Sequence, residues 1–252
     1  MKVSIITACF NSEKTISKAI KSVINQSHKN IEYIIVDGSS NDGTLKIIND
    51  FKKKSDIEVI IISENDLGIY DALNKGIKLS KGEIIGFVHS DDFLANTNII
   101  SEIVKSFSKN EVDGIYGDLV YVYKNNVKKI LRYWKSKNFK NSLLINGWMP
   151  PHPTLYLKKS VYKKHGFFNL HYKISSDYDF IIRIFKDEVL KFKYIPMVIT
   201  KMRYGGISNG NLINIFHKIK EDFIILRKNN VGNLFTLLKK NYSKIEQFFF
   251  NV

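Results

Sequence analysis

The sequence predicts an α/β protein built on a mostly parallel central sheet flanked by helices. Two observations carry this. Short, apolar, β-branched runs recur along residues 2–89, and between them lie segments whose apolar residues are spaced three and four apart. Strands buried on both faces read as continuous rather than alternating apolar runs, and intervening helices cover the two faces. Size agrees, since 252 residues of 44% apolar composition can bury one large core or a core with an appendage.

The elements follow in order. Residues 2–8 (KVSIITA) form the first strand, and Ser12 reads as the N-cap of a helix with the stripe Ile16, Ala19, Ile20, Val23 and Ile24. IEYIIVD (31–37) is the second strand, after which SSNDG opens a helix carrying Leu45, Ile47, Ile48 and Phe51. IEVIIIS (57–63) is the third strand, IYDALNKGIKL (69–79) the third helix, and EIIGFVH (83–89) the fourth strand. The second half changes character. Residues 113–134 alternate like antiparallel strands turning at Asn125 and Asn126, and the Pro-rich GWMPPHPTLYL (147–157) is a loop leading into a strand. SDYDFIIRIF (176–185) begins an amphipathic helix, and the tail from about Asn211 reads as two basic amphipathic helices ending near Phe248, Phe249 and Phe250.

Charge narrows the function. The formal net charge is +15, which favours an anionic partner. No acidic residue lies between Asp118 and Asp177, a stretch rich in lysine. The single cysteine, Cys9, excludes an intrachain disulfide and suits a reducing cytosol. The N-terminal apolar run is too short for a signal-peptide core, and no run approaches the roughly 18 apolar residues of a spanning helix. A soluble or peripheral protein is expected.

In an open parallel sheet, ligands bind at the carboxyl ends of the strands. There the sequence gathers Ala8, Cys9, Phe10 and Asn11, then Asp37 and Gly38, then Glu64, Asp66 and Gly68, and finally Ser90, Asp91 and Asp92. One such carboxylate is commonly a helix cap. Recurrence at three successive strand ends points instead to a divalent cation with a nucleotide attached. No G-x-G-x-x-G follows the first strand, which disfavours a dinucleotide-binding dehydrogenase. Acidic strand ends disfavour a nucleic-acid binder, and ACFNSEK lacks the basic Gly-rich loop of a nucleotidyltransferase.

SIITACFN, IIVDGSSNDGT, NDLGIYDALNKGI, KGEIIGFVHSDD and the later SDYDF resemble family 2 glycosyltransferases, inverting enzymes of the GT-A fold, over residues 1 to about 205. The likeness is greatest to bacterial enzymes of O-antigen, capsule and exopolysaccharide synthesis. It implies a GT-A domain over 1–205, with a nucleotide-binding half (1–118) and an acceptor-binding half (119–205), followed by basic helices at 206–252. The reaction implied moves a hexose or N-acetylhexosamine from a UDP-sugar to a polyprenyl-pyrophosphate-linked sugar, forming a β-glycosidic bond. Asp92 would coordinate Mn²⁺ or Mg²⁺, and Asp91 would bond the ribose or support the metal, with Ser90 or His89 at the first position of an Asp-x-Asp-type motif. Asp37 matches the carboxylate that accepts from uracil N3, Phe10 the aromatic that packs on uracil, and Ala8 a backbone contact. Asn11, Gly68 and Asn74 fall near the nucleotide, as does Asp66, which with Tyr70 and Asp71 forms a subfamily pattern without assigned atom-level roles. Asp177 matches the catalytic base, with Asp179 as second choice. His152 is expected on a hydroxyl or phosphate, Trp148 on a sugar face, and Arg203, with Gly205 and Gly206, in a loop closing on the diphosphate. The C-terminal helices are expected on an anionic membrane face at the cytoplasmic side, or else against the body or in a homodimer. A noncatalytic nucleotide- or sugar-binding relative of the same fold is the alternative.

Overall fold

The computed structural model describes residues 1–205 and 212–247. Gly206 of the expected closing loop and Phe248, Phe249 and Phe250 of the tail lie outside the described residues. The order of elements is β1 (Val3–Cys9), α1 (Ile16–Ile24), β2 (Ile31–Asp37), α2 (Thr44–Lys52), β3 (Glu58–Ser63), α3 (Ile69–Leu79), β4 (Ile84–Phe87), β5 (Phe93–Leu94) and α4 (Ile99–Lys109). Then come β6 (Gly114–Val122), β7 (Ile130–Trp134), α5 (Ser142–Ile145), β8 (Tyr156–Lys158), α6 (Lys159–His165), α7 (Ser176–Phe185), β9 (Phe192–Arg203), α8 (Leu212–Lys228) and α9 (Leu234–Glu246).

All nine strands join one sheet in the order β3-β2-β1-β4-β8-β6-β9-β5, with β7 paired to β6. The first four strands are mutually parallel, as their continuous apolar runs predict. Strand β8 enters antiparallel between β4 and β6, so the sheet changes character at the middle. The expected antiparallel ribbon exists as β6 and β7, but β6 also pairs in parallel with β9. That second pairing places β6 in the interior of the sheet, and all nine of its residues are buried. No element was expected over α4 or β9, and both form.

Alternation along the strands divides the core in two. Ile5, Tyr33 and Ile35 point to the side covered by α1 and α4, whereas Ile6, Ile34 and Val36 point to the side covered by α3 and α7. Ile225 and Leu226 of α8 and Leu237 of α9 join the second of these layers. Gly86 in β4 lets Tyr156 of β8 cross closely, since a Cβ there would lie 2.2 Å from its ring.

One cap differs from expectation. Helix α1 begins four residues after Ser12, whose carbonyl accepts the Thr15 and Ile16 N–H groups. Its hydroxyl turns instead to the Phe10 carbonyl and to Ser90 Oγ, each at 3.1 Å, tying the ends of β1 and β4 together.

Candidate active site

A cavity of about 860 Å³ opens at the carboxyl ends of β1, β3 and β4. Its first wall is made of strand-end loops: Ala8 to Thr15, Asp42, Asp66, Gly68, and His89, Ser90 and Asp91. Its second wall comes from α7, β6, β7 and the last two helices, and includes Asp177, Tyr121, Arg132, Trp134, Lys218 and Lys240. The first wall is mainly acidic; the second carries Asp177 together with several basic side chains.

Of the expected nucleotide residues, Ala8, Phe10, Asn11, Asp66 and Gly68 line this cavity. Phe10 presents its ring to solvent, 61% exposed. Asn11 holds a left-handed backbone (φ 46°) and fixes the next loop, its Oδ1 accepting the Asn41 N–H at 3.0 Å.

Asp37 departs from expectation. It is fully buried and outside the cavity lining, its oxygens taken by the Ser40 N–H (3.0 Å), the Ser40 hydroxyl, the Ser63 hydroxyl (2.7 Å) and the Cys9 thiol (3.7 Å). The carboxylate beside Phe10 is Asp66 instead. A Cβ on Gly38 would lie 2.7 Å from Asp66 Oδ2 and 3.5 Å from the Phe10 ring, so the glycine makes the space that this carboxylate fills. Asp66 Oδ1 meanwhile accepts the Gly68 N–H at 2.9 Å. Asn74 also departs. It is buried away from the cavity and clamps the backbone of Phe168, donating to its carbonyl (2.8 Å) and accepting its N–H (3.0 Å).

The adjacent carboxylates Asp91 and Asp92 separate. Asp91 lines the cavity, whereas Asp92, also expected at the metal, is fully buried behind it. A tight turn, closed by the Asp92 N–H on the His89 carbonyl, sends the two side chains to different places. Asp92 Oδ1 accepts the Arg203 N–H at 3.3 Å, and its Oδ2 has no partner. Burial, with the Asp91 charge adding, pushes the Asp92 carboxyl well above the usual range. Arg203 is the cation that holds the pair, its guanidinium bonding the Asp91 carbonyl and lying over the Phe93 ring.

Asp177 sits in the first turn of α7 and on the cavity. Tyr70 donates from its hydroxyl towards Asp177 Oδ1 (3.0 Å) and the Ile174 carbonyl (2.7 Å). Burial and then the Asp177 charge raise the Tyr70 phenol well above its ordinary value, so it stays a donor. Asp179 turns away to Arg183 at 2.9 Å. From α8, Glu221 accepts the N–H groups of Lys173, Ile174 and Ser175 at 2.8–3.0 Å, anchoring the entry to α7. His152 lines the cavity between Phe87, His89 and Phe168, with Nε2 buried and unpartnered. Burial lowers its imidazole to about 4, against the pull of Asp177, so it is neutral. Trp148 does not reach this cavity. It packs against Tyr116, Phe139 and Phe185, its other side lining a separate groove with Leu238 and Tyr242.

Among the described residues no three His, Cys, Asp or Glu side chains converge as a closed metal cage. The donor set fits a hard divalent cation held by one carboxylate, Asp91, together with oxygens from a bound diphosphate.

The fold is of the GT-A type shared by solved glycosyltransferases. Residues 4–174 match the glycosyl transferase family 2 description, so the chain belongs to that family and is a glycosyltransferase. It is 28% identical over 208 residues to a PGL/p-HBAD biosynthesis glycosyltransferase of Mycobacterium bovis, covering 82% of this chain and 78% of the relative. A 102-residue segment is 42% identical to the UDP-Glc:alpha-D-GlcNAc-diphosphoundecaprenol beta-1,3-glucosyltransferase WfaP of Escherichia coli, covering 40% of this chain and 39% of WfaP. Among solved structures, S. aureus TarS 1-349 in complex with UDP-GlcNAc superposes with a TM-score of 0.69 at 19% identity, over 91% of this chain and 65% of that one. The mannosyltransferase PcManGT from Pyrobaculum calidifontis, in complex with GDP-Man and Mn²⁺, gives 0.67 at 15% identity, over 90% and 63%. The chain thus spans less than two thirds of these two solved chains. Asp177 lies just beyond the family match and Lys218 and Lys240 far beyond it, in helices whose sequence reads only as basic and amphipathic.

Proposed function

We propose that the enzyme transfers a hexose or N-acetylhexosamine from a UDP-sugar, with inversion, to a sugar carried on a polyprenyl pyrophosphate. The observation that carries this is the facing of two carboxylates on one cavity: Asp91 on the strand-end wall and Asp177, hydrogen-bonded by Tyr70, on the other. Phe10 stacks on the uracil, and Asp66 accepts its N3–H, a role the space over Gly38 supports. Asp91, with phosphate oxygens of the donor, would hold Mn²⁺ or Mg²⁺. When bound, the cation offsets the charge that grows on departing UDP.

Asp177 takes the proton of the attacking acceptor hydroxyl. The acceptor oxygen bonds to the anomeric carbon as the bond from that carbon to the β-phosphate oxygen breaks, and UDP leaves with the electron pair. Tyr70 fixes the carboxylate rotamer, and neutral His152 offers Nε2 to a donor-sugar hydroxyl. The WfaP likeness supports the lipid-linked acceptor. Side chains exposed on α8 and α9, Phe216 and Phe235 with Lys220 and Lys239, support docking on an anionic membrane face. No helix among the described residues is long and apolar enough to cross a membrane.

The test is UDP release and product NMR over a panel of UDP-sugars, with and without Mn²⁺, given a prenyl-pyrophosphate-sugar acceptor. Mn²⁺-dependent turnover of one donor to a β-linked product is expected. An α-linked product, or turnover indifferent to chelator, would overturn the reading.

A further inference from the structure

The last two helices contribute side chains to the cavity itself. Lys218 of α8 and Lys240 of α9 both line it, and their ammonium groups lie 2.9 and 2.8 Å from Oδ2 of the fully buried Asp222. Lys240 Nζ also stands 3.0 Å from the centroid of the Tyr178 ring, and Tyr178 adjoins Asp177 in α7. Lys173, whose N–H is held by Glu221, lines the cavity just before that helix. These cations therefore share the second wall with the proposed base, while Asp66 and Asp91 occupy the first.

One lysine suffices to neutralise one buried carboxylate. Lys240, with its side chain 4% exposed, does so from the inside. Lys218 keeps 23% of its side chain exposed and adds charge at the cavity surface beyond what Asp222 requires. Ammonium groups converging from separate elements suit a compact multivalent anion, for which lysine acts as a point charge. An acceptor whose attacking hydroxyl reaches Asp177 must lay the rest of its body along this corner.

Resting on the glycosyl-transfer reading above, we infer that Lys218 and Lys240, with Lys173 beside them, bind a phosphate group of the acceptor, separate from the donor diphosphate at Asp91. The C-terminal helices are then a working part of the active site.

The experiment titrates inorganic pyrophosphate into the full chain, with and without saturating UDP, for wild type, Lys218→Gln and Asp222→Asn. Lys218→Gln leaves Asp222 paired with Lys240 and so preserves the buried ion pair. UDP-loaded wild type is expected to bind pyrophosphate still, and Lys218→Gln to weaken that binding about tenfold. Asp222→Asn frees ammonium charge and tightens it, the reverse of what a purely structural cluster would do. UDP affinity stays within about twofold in both variants because the donor contacts lie on other elements. The inference is overturned if UDP-loaded wild type takes up no pyrophosphate, or if Lys218→Gln leaves its affinity unchanged. Lys218-dependent pyrophosphate binding without any UDP binding would sink the donor reading and leave the anion site standing. A parallel titration with citronellyl pyrophosphate separates the sources of the phosphate: tighter binding than inorganic pyrophosphate marks a prenyl-linked acceptor, and equal binding a soluble sugar phosphate. Either result supports the site.

Discussion

Replacing Asp222 with Asn tests whether the buried lysine pair is held by charge. Burial alone raises the Asp222 carboxyl, but Lys240 and Lys218 overcome this and lower it from 3.8 to about 2. A shift of just under two units is worth roughly 2 kcal/mol of folding free energy, at about 1.4 kcal/mol per unit. The folded value lies below the unfolded one, so this contribution is complete above pH 3.8 and is lost as the pH falls through about 2. Urea unfolding of wild type and Asp222→Asn across that range isolates the effect, because all other groups titrate alike in both. A gap of about 2 kcal/mol near neutral pH, or about 4–8 °C in Tm, is expected to close on acidification. A variant as stable as wild type near neutral pH, or a gap that persists unchanged in acid, would refute the reasoning.

Three further outcomes follow. Asp91→Asn should abolish Mn²⁺-dependent UDP-sugar binding, whereas Asp92→Asn should keep it, because only Asp91 lines the cavity; isothermal titration in Mn²⁺ against chelator decides this. Gly38→Ala should weaken UDP binding by about tenfold, the loss of one charged hydrogen bond, because its Cβ displaces the Asp66 carboxylate; Tm should change little. His152 is buried neutral, lowered from 6.5 to about 4, so its contribution is complete above pH 6.5 and is lost as the pH falls towards 4. The loss comes to about 3 kcal/mol at about 1.4 kcal/mol per unit, and His152→Gln should flatten that limb of the pH–stability curve.

The first four strands were legible because each β-branched run is short, continuous and bounded by a turn, leaving a parallel strand as the consistent reading. The second half was less so. Strand β9 pairs in parallel with β6 across about 80 residues of chain, a long-range choice that no local pattern marks. At the site, the acidic strand ends were visible but their directions were not. A side chain turns inward or outward with a change of one residue at a strand end. Thus Asp37 and Asp92 were expected at the ligand alongside Asp66 and Asp91, yet only Asp66 and Asp91 line the cavity. Asn74 and Trp148 have polar or aromatic chemistry suited to binding, but backbone clamping and aromatic contacts use it. Lys218 and Lys240 read from sequence only as basic residues of amphipathic helices, because what brings them to the cavity is the docking of α8 and α9 on the core.

The most direct test of the central claim compares wild type with Asp177→Asn on the donor identified by the panel, measuring donor affinity and transfer rate separately. Donor affinity within about twofold of wild type and a kcat about 10²–10⁴ lower, the size of a lost general base, are expected. Transfer within about tenfold of wild type would contradict the claim, because that is less than a general base contributes.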